Sequence, residues 1–505
     1  MSKVLSFEEL KKRVETLKKE GKKVVLCHGV FDLVHPGHIL HFKAAKTHGD
    51  ILIVTLTKDE YVFKGPGRPY FNQRLRLETI AALEAVDYVA LNEWPTSIET
   101  LKQLKPDFYA KGSDYKKHEQ DVTGNIALEV AAVKEVGGKV VYTDEEMFSS
   151  SKLINSYFQS HPEETSDYLT EFKKKFSADQ IVQSLKCLKG LNVLVVGETI
   201  LDQYSYCQPL AKTPKDIIVS GRFVSNEDFA GGTAAMANHL ANFCKNVSLI
   251  SVMGSEQEHL QYFQSKLASN VKFLPVIDEK RSTIIKRRFM ATDFLKKMFE
   301  LQIMDDGDLP PAIEDQIVQQ IEKEAAKADL VVVGDFGHGM LTERVKESLY
   351  NCGKFLALNT QSNSANMGFN PVTAYKRADY VSIDEPELRF AAHSKYGEIE
   401  MLAEEIKGRL EADHFMVSLG AAGNAFLSKE GNKIRTPVFS TRVVDRTGAG
   451  DALFSVTAPC VYTGLHPEMV GFIANCVGAL AVETVCNREA IDARKLFKFI
   501  TYLLK

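Results

Sequence analysis

The sequence predicts an α/β protein built from two segments that each begin with a strand. Short apolar runs alternate with helix-length segments over residues 22–157, and the alternation resumes at residue 192. Runs such as VVLC at 24–27, NVLVVG at 192–197 and LVVVG at 330–334 are short and continuously apolar. Strands of this kind, separated by helices, form parallel sheets that are covered on both faces.

The chain length and one change in composition set the expected domain boundaries. A chain of 505 residues corresponds to about three domains, or two when one is large. Residues 158–190 are polar and charged, with helical spacing and no strand pattern. We therefore expect a first domain at 1–157, a helical connector at 158–190 and a large second domain at 191–505.

Charge and cysteine content exclude several classes of function. Lysine and arginine total 62 against 66 acidic residues, a net charge of −4 that argues against nucleic-acid or anionic-membrane partners. No run reaches the ~20 apolar residues that span a bilayer, and the N-terminus lacks the apolar core of a signal peptide. Eight scattered cysteines without a CxxC pair indicate reduced thiols, and hence a cytoplasmic protein.

The tetrapeptide His35-Pro36-Gly37-His38 follows the first strand, where a helix is expected to begin. Backbone N–H groups at a helix start attract phosphate, and two histidines three residues apart add donors to the same anion. Such a cluster suits nucleotidyl transfer, in which positioning and charge stabilisation do most of the work. Four residues alone are equally compatible with a turn that carries a surface histidine.

The segments GVFDLVHPGH, KGPGRP, FNQRLRLETIAALEAVDYV, KGSDY and FSSSKLIN occur in an order that resembles the HxGH nucleotidyltransferase superfamily over residues 22–157. Within it, the chain resembles the transferase half of bifunctional heptose-phosphate kinase/adenylyltransferases. The resemblance implies a Rossmann-like domain in which His35 and His38 stabilise the NTP phosphates. It implies further nucleotide contacts from Gly29, Phe31, Lys64, Arg76, Lys111, Gly112, Asp114, Ser149, Ser150 and Ser151. For Asp32 a role in shaping the loop and a catalytic role are both open. His28 is unusual at its position and is either a third phosphate donor or a shaping residue, which leaves ATP or CTP open as the nucleotide.

A second phosphate site is predicted at DRTGAGD, residues 445–451, which precedes an apolar helical run. Small residues at 448–450 leave N–H groups available to a transferring phosphoryl group, and Asp451 is placed to accept a proton from an attacking hydroxyl. A glycine-rich helix cap is the structural alternative for GAGD alone. The chain has no Walker A sequence, so P-loop chemistry is excluded.

In its wider context this stretch resembles the second signature of the ribokinase-like, or PfkB, sugar kinases, and the similarity extends from Asn192 to Lys505. The resemblance implies that Asp202, Gly231 and Gly232 bind the sugar and that Glu387 acts on a Mg²⁺–phosphate network. It implies that ATP is bound by Ser418, Gly420, Gly423, Gly448, Ala449 and Gly450. The sequence departs from the family pattern at Ala235, Asp384, Lys215 and residues 359–361.

These patterns predict a bifunctional enzyme of nucleotide-activated sugar biosynthesis. The C-terminal domain would phosphorylate a sugar or sugar phosphate with ATP and Mg²⁺, and the N-terminal domain would couple a heptose-like sugar 1-phosphate to an NTP. The transferase precedes the kinase, the reverse of the order in the heptose enzymes that it resembles. We expect a homodimer with small-molecule substrates. The alternative is a single-activity nucleotidyltransferase whose degenerate kinase-like domain senses sugar or oligomerises.

Overall fold

A computed structural model describes residues 2–62, 68–112, 125–143, 162–212, 218–292, 296–440 and 442–505. The chain forms two compact units. The first comprises Met1–Leu169 together with Phe497–Lys505, and the second comprises Thr170–Leu496.

The first unit contains a five-stranded parallel sheet with strand order β3-β2-β1-β4-β5. Its strands are β1 (Val24–Gly29), β2 (Ile51–Thr57), β3 (Tyr88–Asn92), β4 (Phe108–Gly112) and β5 (Lys139–Thr143). Its helices are α1 (Phe7–Lys19), α2 (Pro36–Lys46), α3 (Gln73–Ala81), α4 (Ile98–Leu104) and α5 (Asn125–Glu135). Ser6 and Glu9 form a reciprocal capping box that fixes the start of α1.

Successive residues of β1 enter two separate cores, because side chains of a strand point alternately to opposite faces. Leu26 packs with Ile53 in one core, while Val25 packs with Val54 in the other. The strand order reverses between β1 and β4, so the crevice at their carboxyl ends is the point where ligands bind in open α/β sheets.

Two helices follow the first sheet in the chain, α6 (Glu163–Lys175) and α7 (Ala178–Cys187). The strands after them are β6 (Asn192–Gly197), β7 (Thr199–Lys212), β8 (Val219–Gly232), β9 (Asn246–Met253), β10 (Val271–Ile277), β11 (Ile285–Ala291), β12 (Lys296–Ile303), β13 (Leu330–Asp335), β14 (Phe355–Thr360), β15 (Tyr380–Asp384), β16 (His414–Ser418), β17 (Asn424–Leu427) and β18 (Lys433–Thr436). The remaining helices are α8 (Thr233–Ala241), α9 (Gln257–Lys266), α10 (Pro311–Ala325), α11 (Glu343–Asn351), α12 (Glu385–Ala391), α13 (Ile399–Arg409), α14 (Ala449–Tyr462), α15 (Pro467–Ala481) and α16 (Ala493–Leu503).

Nine of these strands form the main sheet of the second unit, in the order β10-β9-β6-β13-β14-β15-β16-β17-β18. The pairs from β10 to β16 are parallel, and β17 and β18 add an antiparallel edge. Helix α14 is buried continuously from Asp451 to Val461, because its side chains are apolar or small on every face. This buried helix fixes the position of the loop that precedes it.

A second sheet of four strands, ordered β12-β11-β7-β8, lies in the same unit and was absent from our sequence prediction. Its strands carry many polar side chains, and β8 is largely exposed from Val219 to Asn226. A sheet with little buried surface lacks the apolar runs that identify a strand in the sequence. The α/β class and the parallel central sheets are nevertheless confirmed. None of the described helices is long and apolar enough to cross a membrane.

Candidate functional sites

The histidine pair of the first unit lies where β1 leads into α2. His35 is the N-cap residue, and its ring stacks on that of His38 with centroids 3.9 Å apart. Burial lowers the pKa of His35, so its ring is neutral at pH 7 and acts as a hydrogen-bonding group. The structure thus brings both predicted catalytic histidines together at a helix start.

Gly29 and Phe31 shape the loop before these histidines. The Phe31 ring lies against Gly29, where a Cβ would come within 2.9 Å of it, and packs edge-on against His38. Phe31 itself has a φ of 49°, a conformation that a non-glycine residue adopts only under constraint. Asp32 supplies that constraint because it accepts the backbone N–H groups of Tyr70 and Phe71 and pairs with Arg68 at 3.0 Å.

His28 lies at the carboxyl end of β1, beside the switch point. Its Nδ1 is 3.0 Å from the Thr55 hydroxyl, and its Nε2 is 3.4 Å from that of Thr57. Burial, with a contribution from the Lys111 charge, lowers the pKa of His28 to about 4. A neutral ring with both nitrogens engaged is not a third cation for phosphate, so the geometry favours a shaping role.

Lys111 projects from β4 into a buried polar cluster. Its ammonium is 2.8 Å from Glu129, which also accepts hydrogen bonds from Ser97 at 2.6 Å and Tyr109 at 3.2 Å. Burial opposes the charge of Glu129, but Lys111 and the Ser97 hydroxyl, with a smaller contribution from His28, outweigh it and lower the pKa of this carboxyl. Sequence reasoning missed Glu129, because a glutamate within a helical pattern is usually exposed.

Arg76 has a different set of partners from those expected of a phosphate ligand. Its guanidinium is fully buried and donates to the carbonyls of Phe71, Val30 and Thr57 and to the Asp59 carboxylate. Four of its five N–H groups are therefore in use, so a phosphate contact would displace one of these partners. Arg76 joins the loop after β1 to the end of β2, and its nucleotide contact stays a prediction.

The remaining predicted residues of this site divide into two groups. Gly112 ends β4 at the same sheet edge as Lys111. Lys64, Asp114, Ser149, Ser150 and Ser151 lie outside the described residues.

In the second unit, one cavity of about 760 Å³ collects most of the predicted residues. Its walls include Asp202, Gly232, Glu387, Ser418, Gly420, Gly423, Gly448, Ala449, Gly450 and Asp451. Gly231 does not line it. Residues that are up to 249 positions apart in sequence thus meet around one space, large enough for two substrates of nucleotide and sugar size.

Asp451 lies in the first turn of α14, directly after the glycine loop. Gly448 is the N-cap and has a φ of +82°, which glycine adopts without strain. Asp451 is buried, and burial together with the nearby Asp202 charge raises its pKa to about 7, although Lys286 opposes the shift. A carboxyl group that titrates near neutrality can accept and release a proton during a reaction.

Asp445 anchors the other end of this loop. Its carboxylate accepts the hydroxyl of Tyr204 at 2.7 Å, the ammonium of Lys297 at 2.9 Å and the Cys486 N–H at 3.1 Å. Burial opposes the charge, but Lys297, the Tyr204 hydroxyl and the Thr447 N–H outweigh it and lower the pKa of Asp445 to about 2. The loop is therefore tied to the four-stranded sheet through Tyr204 and Lys297.

Asp202 is oriented by the four-stranded sheet at the other side of the cavity. Arg288 forms an ion pair with it, and Arg288 also contacts Glu300 at 2.7 Å. A Cβ at Gly231 would overlap the Asp202 carboxylate, so this glycine makes room for Asp202. Gly232 has a φ of 58° and begins α8. Gly231 thus leaves space for the Asp202 side chain, and Gly232 allows the backbone turn before α8.

Asp384 and Glu387 form an acidic pair at the start of α12. Each carboxylate accepts the other residue's backbone N–H in a capping box, and Glu387 also accepts that of Ser362 at 3.0 Å. Burial first, and then the neighbouring Asp384 charge, raise the pKa of Glu387 to about 8. These two carboxylates are close enough to hinder each other's ionisation, and a hard divalent cation would stabilise the form in which both are ionised. The oxygen donor set that they form fits Mg²⁺.

Glu198 and Asp335 form a second buried acidic pair in the same unit. Glu198 accepts backbone N–H groups of Phe336, His338 and Met340. Burial, followed by the charge of Asp335, raises the pKa of Glu198 to about 7. These contacts hold the turn at residues 334–339, GDFGHG, which indicates a structural role for Glu198.

The part of the cavity where the sequence predicts ATP is built from turns and small residues. Gly423 has a φ of +86°, and a Cβ there would overlap the Thr436 carbonyl oxygen. Asn475 donates to the carbonyl oxygens of Thr436 and Pro437 and so fixes the adjoining wall. Val438, Val443, Ala479 and Val482 give this end an apolar lining suited to a flat base.

A glycine loop at a helix start, a buried aspartate and a second carboxylate meet in one cavity of this unit, the arrangement expected of a sugar kinase of ribokinase-like fold. The chain belongs to the pfkB family of carbohydrate kinases, whose pattern matches residues 191–493. Residues 26–156 match the cytidylyltransferase-like family. Both predicted resemblances are confirmed.

Curated relatives carry the name bifunctional protein HldE. That of Aliarcobacter butzleri (strain RM4018) is 42% identical over 141 residues, 27% of this chain and 29% of the relative. That of Gluconobacter oxydans (strain 621H) is 41% identical over 162 residues, 32% of each chain. The aligned segments thus span about a third or less of these relatives.

Solved structures of phosphofructokinase-2 from Escherichia coli share the fold of the second unit. The tetrameric inhibited form and a potassium complex each give a TM-score of 0.51 at 16% identity. Each match covers 62% of this chain, with 99% and 100% of the respective structures.

Proposed function

We propose that this chain is a bifunctional enzyme of nucleotide-activated sugar biosynthesis with heptose-like substrates. Residues 191–505 would phosphorylate a sugar or sugar phosphate, and residues 1–157 would transfer a nucleotidyl group to a sugar 1-phosphate. Residues 158–190 would form the helical connector between these two domains. The observation that carries the proposal is the single cavity in which Asp451, with a pKa near 7, faces Asp202 beside a glycine anion hole. The pfkB match over residues 191–493, the cytidylyltransferase-like match over residues 26–156 and the bifunctional HldE relatives support a pair of activities.

In the kinase reaction, Asp451 takes the proton of the sugar hydroxyl as its oxygen attacks the γ-phosphorus of ATP. The bond from that phosphorus to the β-bridging oxygen breaks, and ADP leaves. The N–H groups at residues 448–450 stabilise the negative charge on the transferring phosphoryl group. Asp202, held by Arg288, accepts hydrogen bonds from sugar hydroxyls and orients the attacking one.

Asp384 and Glu387 would hold Mg²⁺, directly or through water, because they are the paired carboxylates on the cavity wall. The ion would neutralise charge on the phosphates of ATP. Lys286, also on this wall, faces both Asp202 and Asp451 and balances part of their charge.

In the transferase reaction, a phosphate oxygen of the sugar 1-phosphate attacks the α-phosphorus of ATP or CTP, and pyrophosphate leaves. The start of α2 and the donors of His35 and His38 stabilise the charge that accumulates on the phosphates. Lys111, held by Glu129 at the switch point, provides a fixed positive charge beside the same crevice. The acceptor is already anionic, so this step requires no general base.

The test measures ADP release and pyrophosphate release across a panel of sugars and sugar phosphates. Asp451→Asn is expected to abolish sugar-dependent ADP release and leave pyrophosphate release unchanged. His35→Ala or His38→Ala is expected to slow pyrophosphate release about 10²-fold, as for loss of one charge-stabilising donor, with ADP release unchanged. Equal effects of Asp451→Asn on both activities would refute the assignment of separate sites.

A second function is favoured by one observation, the closed Asp202–Arg288–Glu300 arrangement, which leaves Asp202 already paired. In that case the second unit would bind sugar without phosphorylating it. A panel in which ATP and sugar bind but no ADP is released would support this sensing role. We further propose that the enzyme is a cytoplasmic homodimer; its eight cysteines, all free, support a reducing compartment.

A further inference from the structure

The second unit contains another cavity of about 490 Å³, beside the one that holds Asp451. One face of α8 and the end of β8 line it, together with residues from α9 and the loop before α16. Asn487 lines both cavities, and a Cβ at Gly448 would overlap its side chain. The second cavity is thus one side chain away from the glycine anion hole, and no step of the proposed reactions uses it.

Three buried polar atoms in its wall have no hydrogen-bond partner within the described part of the chain. They are Nε2 of His239, whose ring also meets the Asn487 side chain, the hydroxyl of Tyr262, and Oδ1 of Asp228, whose carboxylate also meets Gln203. His239 is 97% buried, with a relative exposure of 3%. Buried polar groups are nearly always paired in folded proteins, so three unpaired ones around one cavity indicate a polar ligand.

The state of His239 can be derived from its surroundings. Its Nδ1 accepts the backbone N–H of Ile491 at 3.0 Å, and burial lowers its pKa to about 4, although a hydrogen bond with Asn487 opposes the shift. The ring is therefore neutral at pH 7 and carries its hydrogen on Nε2. The cavity wall thus presents one N–H donor, one carboxylate acceptor and one hydroxyl that can act as either.

The charges and shape of the wall narrow the class of ligand. Glu227 and Asp228 are balanced by Lys266 and Arg488, and Arg488 forms a bidentate pair with Glu227. A wall without net charge gives no advantage to a phosphate. The aromatic side chains of Phe229 and Tyr262 supply apolar surface for the C–H face of a ring.

We infer that this second cavity binds a neutral monosaccharide, with Asp228 and Tyr262 contacting its hydroxyls and His239 donating to one of its oxygens. The volume accommodates a whole sugar ring with water. The inference concerns binding alone and does not depend on whether the chain turns over any sugar.

The experiment measures sugar binding by calorimetry with an aldohexose and an aldoheptose of the same ring configuration as probes. The Asp202→Asn variant isolates the second cavity, because its other sugar site has lost its carboxylate. We expect this variant to bind one equivalent of sugar. Adding Asp228→Asn or Tyr262→Phe is expected to weaken that binding about tenfold, the effect of losing one hydrogen bond to a charged or buried group.

Tyr396→Phe is the matched control for Tyr262→Phe, since the Tyr396 side chain is 85% exposed. It is expected to leave binding unchanged. Absence of sugar binding to the Asp202→Asn variant would overturn the inference, as would binding that Asp228→Asn and Tyr262→Phe leave intact. A failure of kinase turnover in the same preparations would count only against the proposed kinase reaction.

Discussion

Gly448→Ala tests whether the glycine loop is the anion hole of the kinase. Gly448 has a φ of +82°, and an added Cβ would overlap the Asn487 side chain. A left-handed conformation costs an alanine roughly 1–2 kcal/mol, and Asn487 must move as well. We expect the free energy of unfolding of the second unit to decrease by about 1–2 kcal/mol.

The effect of Gly448→Ala on activity is expected to exceed its effect on stability. The loop would relieve the overlap by shifting the N–H groups that, in the proposed reaction, stabilise the phosphoryl charge. Loss of one such donor lowers turnover about 10²–10³-fold. Sugar-dependent ADP release should therefore fall by that factor, while pyrophosphate release from the first unit stays at the wild-type rate.

Gly408→Ala provides the matched control. Gly408 lies on the exposed surface of α13, and a Cβ there meets nothing within 4 Å. Alanine is the better helix former by about 1 kcal/mol, so this variant should be slightly more stable and fully active. The assignment of the anion hole would be wrong if Gly448→Ala kept wild-type ADP release while losing the expected stability.

Three further predictions concern the buried charged groups. Because the pKa of Asp451 is raised to about 7, kinase kcat/KM should rise with pH and level off above about 7. The pKa of Asp451 in the folded protein exceeds its value of ~4 in the unfolded chain, so the free energy of unfolding should decrease as the pH rises from 4 to 7. Thermal melts of Asp451→Asn should not show this decrease. Glu129→Gln leaves Lys111 buried without its counter-ion and should destabilise the first unit on the order of 3 kcal/mol in denaturant melts; a change below 0.5 kcal/mol, about the surface-mutation scale, would contradict this. Arg76→Lys should slow pyrophosphate release and lower the melting temperature of the first unit, since a lysine cannot serve carbonyls at three positions; unchanged melting would contradict the loop-holding role.

The strands that could be predicted from the sequence are those buried on both faces. VVLC in β1 and LVVVG in β13 are apolar at successive positions because each face meets a core. The four-stranded sheet gave no such signal, because β8 exposes Arg222, Phe223 and Val224 in succession. Its pairing depends on backbone hydrogen bonds, which leave little trace in side-chain periodicity.

The candidate sites were found from the sequence only where local backbone geometry requires particular residues. A helix start after a glycine turn explains why HPGH and GAGD could be identified. The partners that hold these loops could not be identified in this way. Lys297 is 148 residues from Asp445, and Arg288 is 86 residues from Asp202, so only the folded sheet brings each pair together.

Asp445 and Asp451 show how one loop assigns different tasks to the same side chain. Both are buried, and burial alone would raise the pKa of each. Asp445 meets the Lys297 ammonium and the Tyr204 hydroxyl, which keep its pKa near 2, so it stays charged and anchors the loop. Asp451 meets the charge of Asp202 instead, and its pKa rises to about 7. Asp445 and Asp451 are only six residues apart, yet the first is fixed in its ionised form while the second can exchange a proton. Phosphoryl transfer to a hydroxyl requires this separation of roles.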